Sequence, residues 1–200
     1  MFVWIFNLFL FIFAANSCIA VPNQVIIIRH AEKFDTPPML GQLSPKGLRR
    51  AGALASFFTL LDPATTNPAI LANGLPSTIF ASRPVMEGTN NTIRCIQTIT
   101  PTASTLQIPI HSPYGLGQEK ELVSLIMNDP RFEAENVLIC WHHPKIDTLI
   151  YEFGYNFPLP SYPADRFDLV WLMTFPAPAP PATLVPVLQK VLFDDPITAP

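Results

Sequence analysis

Three short stretches of the chain are built around consecutive apolar residues that do not alternate with polar ones. They occupy residues 25–29, 78–82 and 137–141, and the first and third are rich in Val, Ile and Leu. Continuous apolar strands of this length are typical of parallel sheets that are covered on both faces. The pattern therefore predicts three central strands in a buried sheet.

Apolar residues with helical spacing lie between these strands. In residues 45–61 the apolar positions recur every three or four residues, and Ser44 followed by Pro45 provides an N-cap and a first-turn proline. Further helices are predicted at residues 89–105 and 145–153, and further strands at residues 167–174 and 184–193.

Strands that alternate with helices along a chain usually form a layered α/β domain. We therefore predict a three-layer sandwich, in which a mainly parallel central sheet is flanked by helices. Residues 21–200 are enough for one domain with its own hydrophobic core, and the chain is short for two such domains.

The first residues of the chain differ from the rest. Residues 1–14 are almost entirely apolar, and small or polar residues follow as far as Ala20. The apolar block is shorter than the roughly 20 residues that span a bilayer, so we predict a signal peptide over residues 1–20. The mature protein is then expected to be secreted or periplasmic, without stable membrane association. An N-terminal membrane anchor and a lipoprotein signal ending at Cys18 are the alternatives, because no Lys or Arg precedes the apolar block.

Charge and cysteine content exclude some functions. The formal net charge is −3 and there is no run of like charges, so no basic face for nucleic acid is expected. Cys95 is predicted on a helix and Cys140 within a central strand. We therefore expect two buried thiols more than a disulfide.

Polar residues follow each of the three predicted central strands. Active sites of open α/β sheets lie beyond the carboxyl ends of the strands, so these residues are expected to converge at one edge. They are Arg29-His30, Ser82-Arg83 and His142-His143.

Such a group of residues could transfer a phosphoryl group. The reaction needs a nucleophile, cations for the phosphoryl oxygens and an acid for the leaving oxygen. His30 can attack phosphorus through an unprotonated ring nitrogen, and Arg29 and Arg94 have planar guanidinium groups that match a phosphate. The expected partner is a small phosphate ester, with neither a metal nor an organic cofactor.

Four segments resemble, in order, the motifs of the histidine phosphatase superfamily, whose fold is called phosphoglycerate mutase-like. Arg29-His30-Ala31-Glu32-Lys33 is similar to the Arg-His-Gly signature of that family, in an Arg-His-Ala-Glu-Lys variant. Residues 43–51 resemble Leu-Ser-x-x-Gly-x-x-Arg-Ala. Residues 81–82 and 94–98 resemble a Ser … Arg-x-x-Gln-Thr segment, and residues 137–143 resemble the strand that ends in a second catalytic histidine.

The resemblance implies a phosphatase in which His30 accepts the phosphoryl group. Arg29 and Arg94 would bind the phosphate, together with Ser82. The link between Ser82 and Arg94 is longer than is usual in the family, which leaves Arg83 as an alternative ligand.

The resemblance also implies a second catalytic histidine and a proton donor. We expect His143 to be catalytic and His142 to bind phosphate, although alignment of Trp141 with the family's usual glycine would select His142. Glu119 is the expected proton donor, with Glu121 as the alternative.

Alternative functions remain open from the sequence. A phosphomutase, a non-catalytic protein that binds a phosphoryl ligand, and a metal-binding module built on His142 and His143 are less favoured than an exported phosphomonoesterase. Glu32 and Lys33 are expected to pair with each other at the surface.

Overall fold

The computed structural model describes residues 21–36, 41–59, 73–85, 92–159, 161–175 and 182–198. The predicted signal peptide, residues 1–20, lies outside the described residues. Six strands of the described part form one sheet. No helix within these ranges is both long and apolar enough to cross a membrane.

The sheet is mixed. Its strands are β1 (Gln24–Arg29), β2 (Thr78–Ala81), β3 (Ile110–His111), β4 (Asn136–Trp141), β5 (Leu169–Thr174) and β6 (Thr183–Leu188). Their spatial order is β3-β2-β4-β1-β5-β6. The strands β1 to β4 run parallel to one another, whereas β5 pairs antiparallel with β1 and β6 pairs antiparallel with β5. The predicted α/β fold is confirmed, with antiparallel strands added along one side.

Helices cover both faces of this sheet. They are α1 (Pro45–Phe57), α2 (Arg94–Leu106), α3 (Glu119–Asn128) and α4 (Ile146–Glu152). Successive side chains of a strand point to opposite faces. Accordingly, Ile26 and Ile28 of β1 pack with residues of α1 and α2, whereas Val25 and Ile27 pack with residues of α3 and α4. The result is the predicted three-layer sandwich.

The structure contains one helix that the sequence analysis does not predict. Helix α3 is absent from the predicted elements, although Leu122, Val123 and Ile126 form its buried face at helical spacing. The helix has only 10 residues, so its apolar pattern is short. Cys95 and Cys140 are free, buried thiols in the same core, as expected from their placement on a helix and a central strand.

A buried ion network joins the segment after β1 to the C-terminal part of the chain. Arg50 is 2% exposed, and it donates two hydrogen bonds to each of two carboxylates. Those to Glu32 measure 3.0 and 2.7 Å, and those to Asp195 measure 3.0 and 2.6 Å. The expected surface pair of Glu32 and Lys33 is therefore wrong, because Glu32 is buried against Arg50.

Arg50→Met is expected to lower the free energy of unfolding by about 3–5 kcal/mol, because removing one partner leaves buried carboxylates uncompensated. Urea denaturation followed by circular dichroism measures the change. Arg49→Met is the matched control, since Arg49 is exposed on the same helix, and its expected change is under about 0.5 kcal/mol. Equal effects of the two substitutions would contradict a stabilising role for the network.

Candidate active site

The carboxyl ends of β1, β2 and β4 bring the predicted polar residues to one edge of the sheet. The backbone N–H of His30 donates to the carbonyl of Trp141 at 3.1 Å, and that of Ser82 donates to the carbonyl of Cys140 at 3.1 Å. These hydrogen bonds extend the parallel pairing by one residue beyond the strands β1 and β2. The convergence follows from the parallel direction of the three strands.

His30 is a buried and neutral histidine. Burial, together with the nearby cationic Arg94 and Arg29, lowers the pKa of His30 from 6.5 to about 2. The ring Nδ1 lies 2.8 Å from the carbonyl oxygen of Ala31. A carbonyl only accepts hydrogen bonds, so Nδ1 must hold the ring proton. The Nε2 atom of His30 is therefore left with the free electron pair that a nucleophile needs.

His142, rather than His143, packs against His30. The centroids of the His30 and His142 rings are 5.3 Å apart in an edge-to-face arrangement, and His142 is 6% exposed. The register pairs Arg29 with Trp141, and His142 retains an extended backbone. The next residues along the two strands, His30 and His142, therefore point to the same face.

His143, the expected second catalytic histidine, lies one residue beyond His142. It begins a short 3-10 helix, His143–Lys145, and is only partly buried. Burial and the nearby Arg29 lower the pKa of His143 from 6.5 to about 4. His143 thus lies within the electrostatic field of the site, but its ring is not the one in contact with His30 among the described residues.

Arg29 is held at the site by the segment that precedes β5. Its Nη1 donates to the carbonyls of Ala164 and Arg166 at 2.7 and 2.8 Å. Its guanidinium carbon lies 3.8 Å from the centroid of the Phe167 ring, a cation–π contact. The buried Nε of Arg29 has no hydrogen-bond partner among the described residues. The arginine is therefore fixed in position and keeps an N–H available for a ligand.

Arg94 and Ser82 complete the group, whereas Arg83 does not. Arg94 is the first residue of α2, and its Nε donates to the Oγ1 of Thr92 at 2.9 Å. Its charge contributes to the lowered pKa values of Arg29 and His30. The hydroxyl oxygen of Ser82 is buried without a hydrogen-bond partner in the described part of the chain. Arg83 is turned to the loop before α3, where it donates to the carbonyl of Pro113 and to Gln118.

Glu119 lies in a buried position next to the end of β4. It is 3% exposed, and the indole N–H of Trp141 donates to its Oε1 at 3.1 Å. The alternative, Glu121, is exposed to solvent. Of the two carboxyl groups, only that of Glu119 contacts the strand that leads to His142.

The motif segments contact one another around the loop that follows His30. A Cβ atom at Gly47 would lie 2.1 Å from the carbonyl oxygen of Glu32, so only glycine fits there. Ser44 caps α1 by accepting from the backbone N–H of Gly47 at 3.2 Å. The Oε1 of Gln97 accepts from the backbone N–H of Leu43 at 2.9 Å. The order of these motifs in the sequence thus reflects direct contacts in space.

Two residues at the site were not identified from the sequence. Thr98 accepts a hydrogen bond from the backbone N–H of Ala31 at 2.9 Å, and it belongs to the Arg-x-x-Gln-Thr segment that could have indicated it. The Phe167 ring centroid lies 6.2 Å from that of His30, and no motif marks it. Phe167 and Phe34 also line a cleft of about 360 Å³, together with Lys33 and Lys46.

Within the described ranges, no three His, Cys, Asp or Glu side chains are grouped so that they could hold a metal ion. The candidate site is instead a set of arginine side chains and aromatic or imidazole rings around one histidine. Arg29 has no carboxylate within 4.0 Å in the same ranges. An arrangement of this kind attracts an anion.

Comparison with known proteins gives matches among solved structures. No protein-family model and no curated protein matches the sequence. The protein histidine phosphatase SixA complexed with tungstate is 15% identical, with 83% of this chain and 97% of that chain covered and a TM-score of 0.53. A mycobacterial glucosyl-3-phosphoglycerate phosphatase is 13% identical, with coverage of 82% and 97% and a TM-score of 0.54.

A third solved structure is phosphoglycerate mutase from Plasmodium falciparum. It is 14% identical, covers 90% of this chain and 97% of that chain, and has a TM-score of 0.50. Likeness at such low identity defines the fold, and function has to be argued from the site. The protein therefore has the phosphoglycerate mutase-like fold that the sequence predicts.

Proposed function

We propose that this protein is a phosphomonoesterase that hydrolyses small phosphate esters through a phosphohistidine on His30. The observation that supports this function best is the pair of buried rings, His30 and His142, with centroids 5.3 Å apart beside Arg29. A neutral histidine among cations is matched to an anionic electrophile, because the cations bind the phosphoryl oxygens and keep the nucleophile unprotonated.

The first step forms a bond between the Nε2 of His30 and phosphorus while the bond from phosphorus to the ester oxygen breaks. Arg29 and Arg94 bind the equatorial oxygens, and Ser82 and His142 contribute further hydrogen bonds. The leaving oxygen takes a proton from Glu119 and departs as an alcohol. We assign the second histidine as His142 because its ring lies against His30, and His143 is left at the rim.

The second step hydrolyses the phosphohistidine. A water molecule attacks phosphorus, its proton passes to the carboxylate of Glu119, and the bond between phosphorus and Nε2 breaks. Inorganic phosphate then leaves, and His30 and Glu119 are restored to their starting protonation. No metal takes part in this cycle, which is a proposal that a chelator can test.

We also propose that the protein is exported, with cleavage of a signal peptide after Ala20. The apolar block at residues 1–14 and the small residue at position 20 support this location. Mass spectrometry of the protein recovered from an expressing cell's exterior or periplasm would test it. If the protein is recovered in the membrane fraction with residues 1–20 still attached, an N-terminal membrane anchor is favoured instead.

The test of the proposed activity is turnover of p-nitrophenyl phosphate, with EDTA present, combined with intact-mass analysis of protein quenched during turnover. Activity in EDTA and a protein carrying one added phosphoryl group, stable to base and labile to acid, are expected. A folded protein that binds inorganic phosphate without turning over any phosphate ester would support the non-catalytic alternative.

The lowered pKa of His30 predicts activity that persists at acidic pH. An ordinary histidine, with a pKa near 6.5, would lose the nucleophilic form progressively below neutral pH. With a pKa of about 2, His30 stays neutral down to about pH 4. The measurement is kcat/KM for p-nitrophenyl phosphate, which reports the free enzyme, corrected for ionisation of the substrate. A loss of activity with a midpoint near pH 6.5 would contradict this assignment unless it moved with a His142 substitution.

A further inference from the structure

The carboxyl group of Glu119 is buried and held by neutral hydrogen-bond donors. The backbone N–H of Gly117 lies 3.1 Å from each of its two oxygens. The indole N–H of Trp141 lies 3.1 Å from Oε1. No Lys, Arg or His side chain of the described residues lies within salt-bridge distance of this carboxyl group. Glu119 is therefore fixed in place by hydrogen bonds from neutral groups.

Trp141 links this carboxyl group to the nucleophile. Its carbonyl oxygen accepts from the backbone N–H of His30 at 3.1 Å, and its fully buried indole donates to Oε1 of Glu119 at 3.1 Å. The residue that follows it is His142. One tryptophan thus contacts the backbone of the nucleophilic histidine and the side chain of the carboxylic acid.

We propose that Trp141 is a positioning residue for Glu119 as proton donor, and that the site is built for monoesters of unactivated alcohols. This inference rests on the proposed function. Trp141 acts through Glu119 and does not itself touch the substrate.

The hydrogen bonds distinguish the two oxygens of the carboxyl group. Oε1 accepts from both Trp141 and Gly117, whereas Oε2 accepts only the shared N–H of Gly117. A protonated carboxyl oxygen is a poor acceptor, so the proton resides on the oxygen with fewer donors, which is Oε2. The indole of Trp141 therefore keeps Oε2 as the oxygen that gives its proton to the leaving group. After transfer, both oxygens accept hydrogen bonds as a carboxylate.

The need for this acid depends on the leaving group. An alkoxide is a strong base and leaves only when it is protonated, whereas p-nitrophenolate leaves without a proton. A positioned acid therefore accelerates the cleavage of alkyl phosphates and has little effect on p-nitrophenyl phosphate. A site with a positioned carboxylic acid is suited to phosphorylated alcohols such as glycerol phosphates or sugar phosphates. It is not suited to phosphoryl groups on nitrogen or on an acyl oxygen.

The experiment compares kcat/KM for glycerol phosphate and p-nitrophenyl phosphate in the full protein and three variants. This constant reports the steps up to release of the alcohol, so the shared hydrolysis of the phosphohistidine does not enter it. The variants are Glu119→Gln, Trp141→Phe and Trp171→Phe. Trp171 is the matched control, because it is buried in the same core and its Nε1 has no hydrogen-bond partner among the described residues.

Glu119→Gln is expected to lower kcat/KM for glycerol phosphate about 10²–10⁴-fold, and Trp141→Phe about tenfold or more, because general acid catalysis contributes of that order. Trp141→Phe should keep kcat/KM for p-nitrophenyl phosphate within about threefold. Glu119→Gln should lose less kcat/KM with p-nitrophenyl phosphate than with glycerol phosphate, and Trp171→Phe should keep both values. The thermal midpoints of Trp141→Phe and Trp171→Phe give the cost of losing an indole in this core.

Several outcomes would overturn the inference. If Trp141→Phe lowers kcat/KM equally for both substrates, or for neither, the substitution has no leaving-group effect. Trp141 is then only part of the core. A wild-type protein that turns over p-nitrophenyl phosphate but not glycerol phosphate refutes the substrate class and leaves the proposed function standing. No turnover of either substrate, and no phosphoenzyme, would mean that the proposed function itself has failed.

Discussion

Replacing His30 by alanine is expected to abolish turnover of phosphate esters, with a loss in kcat of at least about 10⁴-fold. The Nε2 atom is the bond-forming atom of the proposed reaction, and removing a nucleophile costs most of the rate that an active site provides. Activity with p-nitrophenyl phosphate, measured in EDTA, checks the loss. Intact-mass analysis of the quenched variant should show no added phosphoryl group.

His111→Ala is the matched control for this substitution. His111 is exposed in β3, outside the group of residues around His30, so its removal is expected to leave turnover unchanged. A His30→Ala variant that is folded and still forms a phosphoenzyme would place the nucleophile elsewhere. That result would contradict the role assigned to the neutral ring.

His142→Ala is expected to lower kcat about 10²–10³-fold, the usual cost of removing one donor to a developing charge. Its ring is buried against that of His30 at 5.3 Å, so it can donate to the transferring phosphoryl group. His143→Ala is expected to lower kcat by less than about tenfold, because His143 lies at the rim and acts through its field. Single-turnover measurement of phosphoenzyme formation separates this step from hydrolysis.

The same pair of variants tests the assignment of the second histidine. A larger loss for His143→Ala than for His142→Ala would restore the assignment that the sequence favours. The urea unfolding midpoints of both variants are measured before their rates are compared. This control is needed because His142 is the more deeply buried of the two residues.

Much of the fold can be predicted from local pattern. The continuous apolar runs became β1, β2 and β4, and the Ser44-Pro45 start of α1 is observed with its predicted cap. These elements are predictable because a run of apolar residues and a helix N-cap are both local patterns in the sequence. Helix α3 was missed because its apolar face is short and becomes recognisable only when it packs against the sheet.

The candidate site was predicted only in part. Arg29, His30 and Ser82 were predicted to converge, since parallel strands end at a common edge. The Phe167 ring beside His30 was not predicted, because it comes from the segment before β5, far along the chain. The same holds for the burial of Glu32 against Arg50 and Asp195, which depends on how the C-terminal residues return to α1.

The layered α/β fold, the order of the motifs and the histidine that directly follows β1 can be predicted from the sequence alone. Only the tertiary structure distinguishes between candidate residues that the sequence leaves equivalent. Parallel pairing of Arg29 with Trp141 puts His142, not His143, on the face of His30. The turn of Arg83 toward Gln118 leaves Arg94 as the second arginine near the site. The direction of a side chain depends on strand register and on packing between distant segments. Neither of these can be predicted from the neighbouring residues in the sequence.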